Sequence, residues 1–345
     1  MADVSARRGT NGYRAVSTFS GAGGSSLGLT LAGFKVLRAY EFVDAAAETY
    51  EANNPSTPVD RSDLRNVTAE SVLKFTGLAE GELDLMEGSP PCSPFSTAGK
   101  RHKSWGQVKT YSDTEQRSDD LFFEYARIIG GVAPRAFIAE NVSGLVKGTA
   151  KGYFLEILAA LKSAGPGYRV SARLLSAQFL GVPQARQRVI FVGVRNDLHD
   201  AAGKPIPPAH PEPQMPVWTL RDALAGIDSP PEPETALSRS VRKAWIETAQ
   251  GGTSDRYYSL SRPAWNRPCP TVTALVGGSA ASVCHPDEPR KFSTAELRRI
   301  CSFPDDFILT GTYSQQAERL GRSVPPLMSL AIAETVRDKI LRRAA

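Results

Sequence analysis

The segment Gly88-Ser89-Pro90-Pro91-Cys92-Ser93-Pro94-Phe95-Ser96 sets a thiol in a proline-stiffened loop directly after a predicted strand. A cysteine so placed is a candidate nucleophile. An unperturbed thiol has a pKa of about 8.5 and is only about 3% thiolate at pH 7, so Cys92 needs an electropositive setting or activation by its substrate. Lys100, Arg101, Lys103 and Lys109 supply four cations and no acid between residues 97 and 110. The competing reading of a lone cysteine is a small buried apolar side chain.

Two more groups carry chemistry. Glu140, in Glu140-Asn141-Val142, closes an otherwise apolar strand, which makes its carboxyl a candidate proton donor in the same cleft. Gln184-Ala185-Arg186-Gln187-Arg188 leads into another strand. Alternate residues of an extended chain share a face, so Arg186 and Arg188 are expected to project together toward phosphates or a pyrimidine carbonyl. Alone, each of these is more often a structural ion pair. Earlier in the chain, Phe19-Ser20-Gly21-Ala22-Gly23-Gly24 joins a predicted strand to a helix through residues small enough for close ligand approach, and Glu41 ends the next strand where it can accept from ribose hydroxyls. A dinucleotide fingerprint would have glycine where Ser26 stands, and a phosphate loop would need a Lys-Ser/Thr pair that is absent.

The elements that must position these groups alternate. Ala15 to Phe19, KVLRAYE, LDLMEG at 83–88, RAFIAENV and VIFVGVR at 189–195 read as strands. The segments through Leu27 and Leu31, DAAAETYEANN, LFFEYARIIGGV and YFLEILAALKSAG read as helices. Short apolar strands alternating with helices predict a parallel sheet covered on both faces, with ligands beyond the strand carboxyl ends, where Phe19, Glu41, Gly88 and Glu140 fall. After Arg195 the texture changes: nine of the 25 prolines lie between 196 and 235, predicting a loop-rich region with short helices such as TLRDALAG. Helical patterns return in STAELRRICSF and in PPLMSLAIAETVRDKILRR.

A chain of 345 residues with 41% hydrophobic residues can hide roughly three quarters of its unfolded surface and often forms two lobes. The charge, 41 basic minus 36 acidic residues or +5, permits a polyanionic partner without demanding one. Four dispersed cysteines with no CxxC signal neither a disulfide framework nor a thiol zinc site. The sequence has no apolar run of the length that a signal peptide or membrane span needs, so a cytoplasmic protein is expected.

Taken together the motifs resemble those of the DNA (cytosine-5)-methyltransferases. FSGAGGSSLGL, YEFVDAAAETYEANNP, SDL, GSPPCSPFS, DDLFFEYARII, ENV, QARQR, RPCPTVT and GRSVPP follow in the family's order over most of the chain, with 48 residues from Cys92 to Glu140 and 48 more to Arg188. The resemblance implies an α/β, Rossmann-like sheet of the S-adenosylmethionine-dependent methyltransferase type with helices on both faces, plus a small loop-rich target-recognition domain. It implies that Cys92 adds to C6 of a cytosine flipped out of double-stranded DNA, that Glu140 assists at N3, and that Arg188 holds O2 with Arg186 nearby for phosphate or Glu140. S-adenosyl-L-methionine, leaving as S-adenosyl-L-homocysteine, would lie on Phe19, Ser20, Gly21, Gly23 and Gly24, with Leu121 a further apolar wall. Glu41 would hold the ribose, Phe42 and Leu64 would flank the adenine, Asp63 would accept from its amine, Pro91 would lie beside the methyl donor, and Ser323 completes the set. No metal is expected.

Two residues depart from the family pattern: Ser93 stands where Gln often follows the cysteine, and Arg322 replaces the Asn of the last motif, which bears on cofactor affinity. The expected domains are 1–195 for catalysis and cofactor, 196–266 for target recognition, and 267–345 as a return segment completing the catalytic domain. In 236–267, Arg239, Arg242, Lys243, Arg256, Arg262 and Arg267 interleave with Trp245, Tyr257, Tyr258 and Trp265, a candidate groove-reading surface beside the plainer reading of solvated charges and core aromatics. A monomer acting on DNA in a bacterial or phage-infected cell, with a cognate restriction endonuclease acting separately, is the expected setting. The alternatives are an RNA cytosine methyltransferase of the same fold and a DNA-binding homologue without turnover.

Overall fold

The computed structural model describes residues 10–91, 109–111, 114–116, 120–146, 151–228, 231–257, 259–276 and 282–344. In chain order the elements are β1 (Arg14–Thr18), α1 (Gly24–Leu31), β2 (Lys35–Tyr40), α2 (Asp44–Asn53), β3 (Val59–Asp60), α3 (Ala69–Thr76), β4 (Leu85–Gly88), the hairpin β5 (Lys109–Tyr111) and β6 (Thr114–Gln116), α4 (Leu121–Val132), β7 (Ala136–Val142), α5 (Lys151–Ser163), β8 (Tyr168–Ser176) and β9 (Gln187–Arg195). There follow α6 (Leu220–Leu224), α7 (Arg239–Glu247), β10 (Gly252–Thr253), β11 (Ser261–Arg262), α8 (Thr294–Ile300), α9 (Tyr313–Arg322) and α10 (Pro326–Lys339).

Seven strands form one sheet in the order β3-β2-β1-β4-β7-β9-β8. The pairs joining β3, β2, β1, β4 and β7 are parallel, as the alternation with helices requires. The expectation of a wholly parallel sheet is corrected at β9, which runs antiparallel to β7 from Ala136↔Val194 to Val142↔Arg188. A parallel neighbour needs a crossover, usually helical, and the approach to β9 through 177–186 holds only a single 3-10 turn. Both faces of the sheet are covered. Val16, Met86 and Phe137 join Phe122, Ile129 and Phe191 in one core cluster, while Ala15, Leu85 and Ile138, which alternation turns the other way, are buried too. Strand β8 left little trace in the sequence because most of its side chains are part-exposed, which erases the apolar run by which inner strands are read.

The described residues divide into two compact units, one of 10–175, 187–212 and 329–344 and one of 176–186 and 213–328. This differs from the boundaries read in the sequence at three places, each with a visible cause. Residues 196–212 stay with the sheet because the Arg169 guanidinium donates to the carbonyls of Arg195, Asn196, Leu198 and Ile206 at 2.8–3.1 Å. Residues 176–186 leave it because Ala185 N–H donates to Cys269 O at 2.8 Å and Cys269 N–H to Pro183 O at 2.9 Å. The return to the sheet unit begins only at Ser329, whose hydroxyl donates to Ser25 O at 2.9 Å, and is secured by Arg337 donating to Ala32 O at 2.7 Å.

The smaller unit packs Val241, Ala244 and Trp245 of α7 against Leu260 and Cys284. No described helix is long and apolar enough to cross a membrane.

Candidate active site

Strand β1 ends at Thr18, and the turn that follows needs backbone conformations that few residues supply: φ is +51° at Phe19, +54° at Gly21 and +92° at Gly23. Phe19 is a non-glycine residue in the left-handed region, a strain of order 1–3 kcal/mol that persists where surrounding bonds dictate it. Those bonds are present. Ser20 N–H donates to Tyr40 O at 3.1 Å, and Gly23 N–H donates to Ser20 O at 2.9 Å. Glu41, 7% exposed, accepts from Gly21 N–H at 2.7 Å on one carboxylate oxygen and from Val43 N–H at 2.8 Å on the other. A Cβ on Gly23 would lie 3.0 Å from the Tyr50 ring, so glycine is required there by conformation and by space. A Cβ on Gly21 would meet nothing within 4 Å, so the turn leaves an open cradle.

The remaining sheet-unit members of the expected cofactor set lie at neighbouring strand ends. Asp63 caps the short turn holding buried Leu64, accepting from Arg65 N–H at 3.0 Å and from the Arg65 guanidinium at 2.9 Å. Arg65 also grips Asp120, the residue before buried Leu121, and so ties the Asp63–Leu64 turn to the start of α4. This arginine had no motif to announce it. Phe19, Phe42 and Pro91 are half-buried. Open backbone, a carboxylate at the end of β2 and apolar walls fit a nucleoside-bearing cofactor.

Cys92 and Ser93 lie outside the described residues, as do Lys100, Arg101, Lys103 and Tyr258. The other three cysteines are free and buried. Burial pushes the Cys284 thiol up to about 12 and Cys301 to about 11, and raises Cys269 well above the ordinary range, which leaves Cys92 as the candidate nucleophile by elimination. The segment leading to it is anchored: Asn141 of β7 donates from Nδ2 to Pro90 O at 2.9 Å. Asn141 is a positioning candidate that the sequence named only as part of the ENV motif.

One residue earlier, Glu140 pairs with Arg188, Oε1 to Nε at 2.5 Å, each side chain 13% exposed. The register explains the meeting, because Arg188 stands opposite Val142 and is therefore the diagonal neighbour of Glu140 on one face. Arg186 does not join them, which corrects the expectation that the two arginines project together. Its N–H closes a tight bond to Gln184 O at 2.9 Å, which breaks the extended alternation. Its guanidinium, 1% exposed, donates to Val272 O at 3.0 Å and Gly321 O at 2.9 Å within the smaller unit. Arg186 is thus a structural clamp on the RPCPTVT and GRSV segments. A Cβ on Gly321 would lie 2.3 Å from Thr273 O, so that clamp also depends on glycine.

Also in the smaller unit, Ser323 donates its hydroxyl to Arg319 O at 2.7 Å, and the Arg322 guanidinium turns along its helix to Glu318 at 2.8 Å. The groove-reading expectation is narrowed. Trp245 is buried with Nε1 donating to His285 O, Arg262 stacks on the Trp245 ring at 4.1 Å, and Trp265 donates to Asp287. The plainer reading holds for these three. Arg239, Arg242 and Lys243 on α7, with Arg256 and Arg267, remain exposed. Among the described residues no group of three His, Cys, Asp or Glu side chains could hold a metal.

A model of the C-5 cytosine-specific DNA methylase family matches residues 13–338. The chain is 32% identical to the Type II methyltransferase M.Sau96I of Staphylococcus aureus over 97% of its own length and 78% of that protein's. It is 32% identical to the Type II methyltransferase M.Eco47II of Escherichia coli, over 96% and 81%. Among solved structures, one described as a prophage-encoded DNA modification methyltransferase of E. coli superposes with a TM-score of 0.73 at 21% identity, covering 95% of this chain and 99% of that one. The S. pombe Dnmt2 methyltransferase gives 0.63 at 17% identity, covering 94% and 97%. These structural likenesses support the fold.

Proposed function

The chain belongs to the C-5 cytosine-specific DNA methylases, and from that premise we propose that this DNA cytosine-5 methyltransferase modifies one flipped-out cytosine in a short specific double-stranded sequence through a covalent Cys92–C6 intermediate. The observation that carries the reading is the Glu140–Arg188 pair on β7 and β9, with the adjoining Asn141 holding the loop two residues before Cys92. Cytosine C5 is a weak nucleophile. Addition of the Cys92 thiolate to C6, with Glu140 giving a proton or hydrogen bond at N3, moves electron density to C5 as in an enamine. Arg188 serves twice, orienting the Glu140 carboxyl and donating to the pyrimidine O2. After methylation, loss of the C5 proton and expulsion of the thiolate restore the aromatic ring and the free enzyme.

S-adenosyl-L-methionine, bound on Phe19, Ser20, Gly21, Gly23 and Gly24, supplies an electrophilic methyl group. Glu41 holds the ribose, Phe42 and Leu64 flank the adenine, Leu121 is a further apolar wall, Asp63 accepts from the adenine amine, and Pro91 lies beside the methyl donor. The strained, glycine-requiring turn and the open cradle at Gly21 support this assignment. The smaller unit supplies target recognition, with the exposed α7 cations suited to phosphates. Extruding the base costs a few kcal/mol, recovered from pocket contacts. The protein acts as a monomer in a bacterial cytoplasm, paired with a separately acting restriction endonuclease.

Bisulfite sequencing of unmethylated genomic DNA after incubation with the purified protein and S-adenosylmethionine tests the proposal. Cytosines protected within one short recurring sequence support it and report the specificity. Complete conversion at every site would sink it.

A further inference from the structure

On the face of the sheet that Val16 and Met86 do not occupy, strand β4 places a carboxyl in the interior. Glu87 is 3% exposed and stands directly across from Ser17 of β1 in the strand register. Ser17 Oγ donates to Glu87 Oε2 at 2.8 Å, and Ser20 Oγ donates to Ser17 Oγ at 2.9 Å. A line of hydroxyls therefore runs from Glu87 to the residue after strained Phe19. Ser25 at the start of α1 and Ser89 just past β4 lie near the same carboxyl, and the buried Ser89 hydroxyl closes no hydrogen bond. An apolar side chain would fill such a site without the desolvation penalty that a carboxyl suffers, so its bonds must serve a purpose.

We propose that Glu87 is a positioning residue, which through Ser17 and Ser20 locks the Phe19–Gly23 turn to the strand that launches the Pro90–Cys92 segment. The cofactor seat and the end of β4 then keep one register. This rests on the reading of 19–24 as the S-adenosylmethionine seat.

The surroundings make the lock sensitive to protonation. Burial pushes the Glu87 carboxyl up to about 7; the hydroxyls of Ser17, Ser25 and Ser89 oppose the rise and Glu140 on β7 adds to it. Tyr50 on α2 and, from the Met86 side of the sheet, Tyr125 on α4 lie near enough to feel its charge, both kept neutral by burial. Among the described residues named as acting on Glu87 there is no cation. As pH rises through neutrality an uncompensated charge enters the interior, and local opening of the turn toward water competes with cofactor binding.

The test is calorimetric titration of the full chain with S-adenosylhomocysteine at pH 6 and pH 8, with hydrogen exchange of residues 17–25 measured in parallel. The wild type is expected to bind about fivefold more weakly at pH 8, because opening of the turn to hydrate the ionised carboxyl competes with binding. Glu87→Gln keeps an acceptor for Ser17 without a charge, so it is expected to bind equally at both pH values. Glu87→Ala is expected to bind about tenfold more weakly at both, as the lock and its packing go, with faster exchange across the turn. Wild-type affinity in Glu87→Ala, or wild-type pH dependence in Glu87→Gln, overturns the inference while the cofactor reading stands. If Glu87→Ala does not fold, the Glu87→Gln comparison decides alone. A wild type that binds no S-adenosylhomocysteine at either pH overturns the cofactor reading itself and the inference with it.

Discussion

Glu140 and Arg188 are each half of a nearly buried pair, so replacing either changes two groups. Glu140→Gln preserves the shape and removes the proton, and a loss of about 100-fold in single-turnover methylation with little change in melting temperature is expected. Glu140→Ala leaves the Arg188 guanidinium 13% exposed without that partner and is expected to destabilise by about 3 kcal/mol as well, measured by urea unfolding. For the thiol, DNA carrying 5-fluorocytosine at the target cannot lose a proton from C5. The wild type is expected to form a denaturant-stable adduct on a gel, and Cys92→Ser to form none. An adduct with the serine variant would place the nucleophile elsewhere.

The strand ends divide the work differently. Strand β7 supplies both Glu140 and, on the opposite face of the pleat, the amide of Asn141 that fixes Pro90 O. Asn141→Ala is expected to lower the methylation rate about tenfold by loosening the loop, while S-adenosylhomocysteine affinity stays within about twofold; the split between the two measurements separates positioning from cofactor binding. Arg186 works on segments rather than on the reaction. Arg186→Met leaves the carbonyls of Val272 and Gly321 without this donor, and a loss of about 3 kcal/mol in unfolding free energy is expected, at about 1.5 kcal/mol, the low end of the range, for each buried bond to a charged group. Unchanged stability would return Arg186 to the candidate binding groups.

Across the whole molecule, charge and protonation set the measurable behaviour. Exposed Arg239, Arg242 and Lys243 lie on α7, and neutralising all three is expected to weaken DNA binding and to lower the slope of log affinity against log salt by up to about 3. An unchanged slope would place the phosphate contacts on other cations. Stability carries the mark of Glu87. Its folded pKa of about 7 lies above the ordinary 4.5, so its stabilising contribution is fully present below about pH 4.5 and is lost as pH rises through about 7. The wild type is therefore expected to lose on the order of 3 kcal/mol relative to Glu87→Gln between pH 4.5 and pH 8, read from urea midpoints at each pH.

Local chemistry and spacing were legible because they act over a few residues. The turn after β1, the helix Leu121–Val132, the strand ending in Glu140 and the ordered motifs were all readable from residue type and period. Pairings that join distant residues were not. Nothing around Arg186 announces carbonyls 86 and 135 positions away, and its separation from Arg188 follows from one tight bond at Gln184. Trp245 and Arg262 look like a nucleic-acid surface until folding stacks one on the other. Glu87 reads as a polar interruption in an apolar strand, and its meaning depends on a register that sets it against Ser17, 70 residues earlier. Short-range sterics and hydrophobic period travel with the chain, whereas the partner of a buried charge is chosen by which strands come to lie side by side.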